Sequence, residues 1–274
     1  MYVDSHQHFW KLSRGDYSWM TPDMKELYKD FSPEDLEPLI KEKNITQTVI
    51  VQAADTIAET EFTLSLASKY DFIAGVVGWV DLDSDKAKDD IDKLCESNFL
   101  KGFRPMIHDI KDDEWMLKNN LSENLKYINN KNLTFDALVR PNHLKHLIKF
   151  VKKYDFLPIV IDHIAKPVII KSEIDEWKKD MTELSKANNV YCKFSGILTE
   201  VGKDYNKHQL DPYIDFILNL FGSEKLMWGS DWPVLTMADS YLNWFDLAMD
   251  YCSSFSEDEK NKIFALNAKN FYNL

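Results

Sequence analysis

The sequence predicts an α/β fold, a (β/α)8 TIM barrel, on three observations. Eight apolar segments rich in β-branched residues recur along the chain, helical segments lie between them, and 274 residues match the length of eight such units. Several segments stay apolar for four or more residues, as in TVIVQAA, FIAGVVGWV and LPIVIDH. Strands buried on both faces read this way. A doubly wound sheet is the alternative, and it would separate the first strand from the last.

The strand segments are residues 2–6, 48–53, 73–80, 100–107, 133–139, 157–163, 190–196 and 226–231. A long first loop, residues 11–31, contains KLSRGDYSWMTP, and its aromatic residues predict that it folds over something. Ser32 and Pro33 open the helical run SPEDLEPLIKEK with cap, proline and early acids in the favoured order. Helices are also predicted over 56–69, over DSDKAKDDIDKLCE with Ser84 as cap, and over 124–130, 141–154, 171–188 and 206–221. The last, 256–271, opens with a capping box of Ser256 and Glu259. Residues 237–251 read as a second insertion, after strand eight. No low-complexity linker interrupts the chain, so residues 1–274 are expected to form one domain.

Composition narrows the function classes. Lys and Arg number 33 against 45 Asp and Glu, a formal charge of −12, and such a surface repels phosphate backbones. Nucleic acid is therefore not expected as a partner. No window is long and apolar enough to imply a membrane span, and no signal peptide is evident. Cys95, Cys192 and Cys252 are odd in number and widely spaced, so free thiols and a cytoplasmic location are expected.

In a barrel of this kind, chemistry belongs at the C-terminal ends of the strands. His6 and His8, in DSHQHFW, end strand one. Two apart on an extended segment, they point to one side and can meet one ion or substrate, or serve as hydrogen-bonded packing residues. His163 ends strand six in VIDHIAKP, with Asp162 expected to point the other way and Lys166 to anchor the turn or lie on the surface. Asp231 ends strand eight in LMWGSDWP, where closure would set it facing His6 and His8. Arg104, in KGFRPMI, and Arg140, in ALVRP, each call for an anionic or carbonyl partner, in the protein or in a ligand. His108 is a loop candidate. Trp79 and Gln52 either line the pocket or complete the core. His143, His146 and His208 are expected at the surface.

DSHQHFW, GDYSWMTP, VIVQAA, GVVGWVDL, GFRPMI, VIDHIAKP, YCKFSGI and LMWGSDWP occur in this order, and with that ordered set the chain resembles the amidohydrolase superfamily, within it the branch of sugar-acid lactonases. That branch includes L-fuconolactone and L-rhamnonolactone hydrolases and the pyrone-dicarboxylate lactonase. The resemblance implies Asp231 as the group that takes a proton from water, and His163 as a group positioning water or the substrate carbonyl. It matches His6 and His8 to the HxH of strand one and implies substrate contacts at Arg104 and the aromatic residues of the first loop. The chain departs from metal-rich members, since strand four offers Arg104 and strand five, TFDALV, has no histidine. The cofactor expectation is therefore none, or one zinc-like divalent ion on His6, His8, His163 and Asp231.

The expected activity is hydrolysis of a sugar-acid lactone, similar to L-fucono- or L-rhamnono-lactone, by activated water. Another amidohydrolase-type hydrolase, a metal-dependent decarboxylase and a non-catalytic sugar-binding barrel are the alternatives. A polyhydroxy ring needs many donors and an aromatic wall, which Arg14, Tyr17, Trp19, Gln52, Trp79, Arg104 and His108 would supply. With only three arginines in the chain, a neutral lactone is favoured over a dicarboxylate. The expected partner is this small molecule, with a homo-oligomer left open.

Overall fold

The computed structural model describes residues 1–171 and 174–274. Eight strands form one parallel sheet in sequence order, β1 (Tyr2–Gln7), β2 (Ile45–Val51), β3 (Ile73–Gly78), β4 (Leu100–Phe103), β5 (Thr134–Ala137), β6 (Ile159–Ile161), β7 (Val190–Phe194) and β8 (Leu226–Trp228). Sequential order rules out the doubly wound alternative. Closure comes just beyond β8, where Gln7 bridges in parallel to Trp232. Two backbone bonds complete it: the Asp231 N–H donates to the His6 carbonyl at 2.8 Å and the His8 N–H to the Trp232 carbonyl at 2.7 Å. Most strands stop short of their apolar runs, because the last apolar residues belong to segments turning over the barrel mouth.

The helices are α1 (Pro33–Glu42), α2 (Ile57–Ala67), α3 (Ala87–Leu94), α4 (Leu121–Asn130), α5 (Leu144–Lys153), α6 (Asp175–Ser185), α7 (Lys207–Lys225), α8 (Tyr241–Tyr251), α9 (Glu257–Asn261) and α10 (Asn267–Tyr272). Ser32 and Asp35 cap α1 reciprocally, and Ser256 and Glu259 do so for α9. Ser84 does not cap α3: its hydroxyl accepts the Lys86 N–H at 3.1 Å and shapes the turn before the helix. The segment read as a second insertion is largely α8, capped by Ser240, whose side chain accepts from the Asn243 N–H. Residues 172 and 173 of the predicted 171–188 helix lie outside the described residues.

Apolar faces of the helices cover the barrel's outside. A separate cluster of Val3, Val49, Val51, Val77, Val160 and Met227 packs against Ala265, Ala268, Phe271 and Tyr272, so the C-terminal segment plugs the barrel end opposite the mouth. All three cysteines are free. No described helix is long and apolar enough to cross a membrane.

β4 and β5 lie close together at Gly102, which pairs with Thr134. A Cβ there would lie 2.1 Å from Thr134 Oγ1 and 2.7 Å from its carbonyl oxygen, and the carbonyl belongs to a strand that cannot retreat. Gly102→Ala is expected to cost about 1–3 kcal/mol through forced separation of the two strands, measured by chemical denaturation against wild type.

Candidate active site

β1 and the ends of β6 and β8 bring four predicted residues together. His6 Nε2 lies 3.2 Å from His8 Nε2. Asp231 Oδ1 sits 3.3 Å from His8 Nε2, 3.7 Å from His163 Nε2 and 3.8 Å from His6 Nε2. All four residues are buried. Adjacency of β1 and β8 does this: the same hydrogen bonds that close the barrel set Asp231 beside the HxH segment.

His163 arrives differently. The chain after β6 takes four left-handed residues in succession, His163, Ile164, Ala165 and Lys166, with φ of 52°, 48°, 63° and 47°. For non-glycine residues, and for β-branched Ile164 above all, this conformation is costly, and such strain concentrates at functional sites. Trp177 Nε1 donating to the Ile164 carbonyl at 2.9 Å and the Lys166–Glu200 ion pair at 2.7 Å hold it. The turn cancels strand alternation, so Asp162 does not point away as predicted. It faces inward beside His163, 3.5 Å from Arg104 and from His6 Nδ1. Gly196 lets β7 come close: a Cβ there would stand 2.4 Å from His163 Nδ1, the atom that meets Ser195 Oγ at 2.9 Å.

Beneath the imidazoles lies a charged layer that the strand reading missed. Lys193 of β7 is fully buried, with Nζ 2.6 Å from Asp136 Oδ2 of β5 and 3.0 Å from His6 Nδ1. It is also 3.0 Å from Asp162 Oδ1, an ion-pair contact without a well-directed hydrogen bond. Tyr272 of α10 donates to the same Asp136 oxygen at 2.7 Å. Arg104 completes the layer, donating to the Gln52 carbonyl, while the Gln52 side chain donates to the Arg104 carbonyl at 2.8 Å.

Burial, then the positive charge of Lys193, pushes His6 well below the usual histidine range, and burial likewise depresses His163. Burial pushes Asp231 up, but His163, the His8 hydrogen bond and Lys166 outweigh it and hold the carboxyl below its ordinary value. Since His163 itself is driven toward the neutral form, its help to Asp231 is that of a ring dipole. The consistent state is an ionised Asp231 facing neutral His6 and His163. Burial also raises Asp162, yet Lys193, His163 and Arg104 more than reverse that, so this carboxylate is charged too.

A cavity of about 250 Å³ opens above, lined by His8, His163, Asp231, Arg104, His108, Lys166 and Asp109 on its polar side. Trp10, Trp19, Met24, Ala53, Met106, Leu138 and Val234 form the apolar side. Trp19 is held there by its Nε1 donating to the Ala53 carbonyl at 2.7 Å. His108 is driven down to about 3, chiefly by burial.

The other predicted contacts stand behind this lining. Tyr17 donates to Glu59 Oε2 at 2.8 Å, and Arg14 pairs with Asp16 and lies 3.7 Å from Glu59, so both tie the first loop to α2. Gln52 braces Arg104. Trp79 meets Thr60 through its backbone. Arg140 is exposed. His143 and His146, expected at the surface, are buried because the segment carrying Asp113 and Glu114 covers them at 3.3 and 3.4 Å. His208 is exposed and pairs with Asp211 at 3.1 Å.

His6, His163 and Asp231 each offer a ligand atom within 4.8 Å of the others, and His8 borders His6 and Asp231. Imidazole nitrogens with one carboxylate suit a zinc-like ion, and Asp231 Oδ2 is a buried acceptor with no hydrogen-bond partner. The residues present therefore fit such an ion.

The sequence profile of the amidohydrolase family matches residues 3–274. A protein named L-fucono-1,5-lactonase from Burkholderia ambifaria is 39% identical, over 99% of this chain and 95% of its own length. Another of that name from Burkholderia multivorans is 31% identical, over 87% of this chain and 84% of its own. The crystal structure of an amidohydrolase from Burkholderia multivorans with bound zinc superposes with a TM-score of 0.93 at 30% identity, covering 100% of this chain and 99% of that one.

Glu59 gives the first loop a measurable signature. Burial raises its carboxyl from the usual 4.5 to about 7, despite the Tyr17 and Ala53 hydrogen bonds. The folded state then holds this proton through a window where the unfolded chain has released it, so stability falls as pH rises from about 4.5 to about 7. Glu59→Gln, which cannot ionise, should match wild type near pH 4.5 and exceed it above pH 7 by roughly 3 kcal/mol. Paired denaturation curves at the two pH values check this; a constant difference would show that Glu59 does not titrate as described.

Proposed function

This chain belongs to the amidohydrolase family, and on that premise we propose that it hydrolyses the lactone of a sugar acid, with Asp231 as the base toward the attacking water. The observation that carries the reading is the corner where Asp231 Oδ1 meets three imidazole nitrogens within 3.8 Å at the base of a small, half-apolar cavity. Full-length likeness to proteins named L-fucono-1,5-lactonase supports the substrate class.

Water adds to the lactone carbonyl as its proton passes to an Asp231 oxygen, and the carbonyl electrons move onto oxygen. His163 and Arg104 line the same cavity and supply N–H groups to the oxyanion. For His163 this requires the Ser195 hydroxyl to donate to Nδ1, leaving the proton on Nε2. Collapse of the adduct breaks the bond to the ring oxygen, which takes the proton back from Asp231, giving the open hydroxy acid. A zinc-like ion, if held by His6, His163 and Asp231, would take the place of the His163 N–H and supply Lewis-acid polarisation of the carbonyl instead.

A depressed carboxyl is a weak base, but it is fully ionised at neutral pH and needs no activation. Its orienting neighbours supply what basicity does not. Of the three arginines, Arg104 alone lines the cavity, which supports a neutral lactone over a diacid. Trp10 and Trp19 offer flat apolar faces to a sugar ring, and their edge-on contact at 5.8 Å keeps them in place.

A pH-indicator assay over L-sugar 1,4- and 1,5-lactones, with a dicarboxylate lactone beside them, tests the proposal. Turnover of a neutral lactone is expected. Asp231→Asn should lower kcat/KM on the order of a thousandfold while the fold is retained. Wild-type inertness toward the whole neutral panel would remove the substrate reading, and undiminished turnover by the variant would remove Asp231 as the base.

A further inference from the structure

Among the described residues, the cavity lining holds two permanent cations, Arg104 and Lys166, and two carboxylates, Asp109 and Asp231. None of the steps above uses Lys166. Its place is fixed by a left-handed backbone with φ of 47° and by the Lys166 N–H donating to the His163 carbonyl at 2.8 Å. Its charge is felt across the cavity. Behind burial and Arg104, it helps to drive His108 down to about 3. Against burial, and behind His163 and His8, it helps to hold the Asp231 carboxyl low.

Charges of the two signs are treated unequally. Each cation is answered by a carboxylate from outside the lining, Arg104 by Asp162 at 3.5 Å and Lys166 by Glu200 at 2.7 Å. Glu200 shares an outer cavity with Lys166, so this ion pair stands in the wall between the two spaces. Its side chains are 14% and 19% exposed, and salt screens so sheltered a pair weakly. The carboxylates of the lining face imidazoles that burial drives toward the neutral form, Asp231 facing His163 at 3.7 Å and Asp109 facing His108 at 3.0 Å. Neither is paired with a lysine or arginine among the described residues. The cavity thus offers no unanswered positive charge to a ligand.

Opening a lactone turns a neutral ring into a hydroxy acid, and a carboxyl that titrates at about 4 is an anion at neutral pH. We propose that Glu200 selects between the two: by cancelling the charge of Lys166 from outside the cavity, it makes the site favour the neutral ring and release the open carboxylate. Glu200 acts through Lys166 and is a positioning residue. Selectivity of this kind comes from withholding a contact from the wrong ligand as much as from gripping the right one. The proposal deepens the lactone reading above and rests on it.

Equilibrium titrations with two unreactive probes of one carbon skeleton test it, L-fuconate as the open acid and L-fucose as a neutral ring. Glu200→Gln removes the charge, yet its amide oxygen can still accept from Lys166, so the turn that carries His163 keeps its tie. This variant should bind L-fuconate about tenfold more tightly than wild type, with L-fucose affinity changed less than about twofold. Lys166→Met combined with Glu200→Gln should lose the gain, because no cation remains to be freed. A merely structural role for Glu200 would move both probes together. Equal shifts of the two probes, or a gain that survives in the double variant, would overturn the proposal. Binding of neither probe by any form of the chain would remove the sugar-acid reading, and this proposal with it.

Discussion

The site depends on the splice between the first and last strands. Asp231 and His6 stand 225 positions apart in the chain, yet a single backbone hydrogen bond of 2.8 Å joins them, and another of 2.7 Å joins His8 to Trp232. Spacing of acid and imidazoles is thus set by main-chain geometry, not by how far side chains can reach. Side chains reinforce the splice: Ser5 Oγ donates to the Trp228 carbonyl at 2.7 Å, and Asp4 accepts from the Ser230 N–H at 2.8 Å and the Tyr241 hydroxyl at 3.0 Å. Burial pushes the Asp4 carboxyl up to about 6 in spite of these donors. The seam is therefore built from polar groups that are costly to bury, where apolar packing would have closed a barrel more cheaply.

The same preference appears in the layer below. Lys193 and Arg104 balance Asp136 and Asp162, two charges of each sign. Replacing such a set with apolar side chains is often neutral or stabilising, so stability is a poor reason for it to exist. Orientation is a better one. Fixed charges beneath His6 hold its ring in place, with Lys193 Nζ 3.0 Å from Nδ1, and the apolar plug around Tyr272 keeps water from competing for those contacts.

Much of this was legible before any coordinates. Apolar runs marked all eight strands, and polar residues at their ends marked His6, His8, His163 and Asp231, because a polar side chain that ends a buried strand must have a partner. What escaped detection depended on geometry that spacing does not encode. Asp162 was placed by strict alternation, which the left-handed turn at His163 abolishes; nothing in the composition of Ile164 or Ala165 announces that conformation. Lys193 sits within YCKFSGI, and only its placement inside an otherwise apolar strand hinted that it was buried. Asp136 in TFDALV carried the same faint signal. His143 and His146 looked superficial because the segment that covers them lies some thirty residues earlier in the chain.

The cavity joins two unlike halves, and the contrast bears on how a weakly basic carboxylate could work. Trp10, Trp19, Met24 and Val234 exclude solvent from one side, while Arg104, Lys166 and the imidazoles present fixed dipoles and charges on the other. In so confined a space, electrostatic interactions are stronger than in bulk water, and they need no reorganisation as charge moves from the nucleophile to the carbonyl oxygen. An ionised Asp231 beside neutral His6 and His163 is ready for that transfer at neutral pH. The left-handed turn that carries His163 is the main local cost of the arrangement, offset by Trp177 and the Lys166–Glu200 pair. Strain held this firmly beside the acid argues that the imidazole's position, more than its basicity, is what the fold preserves.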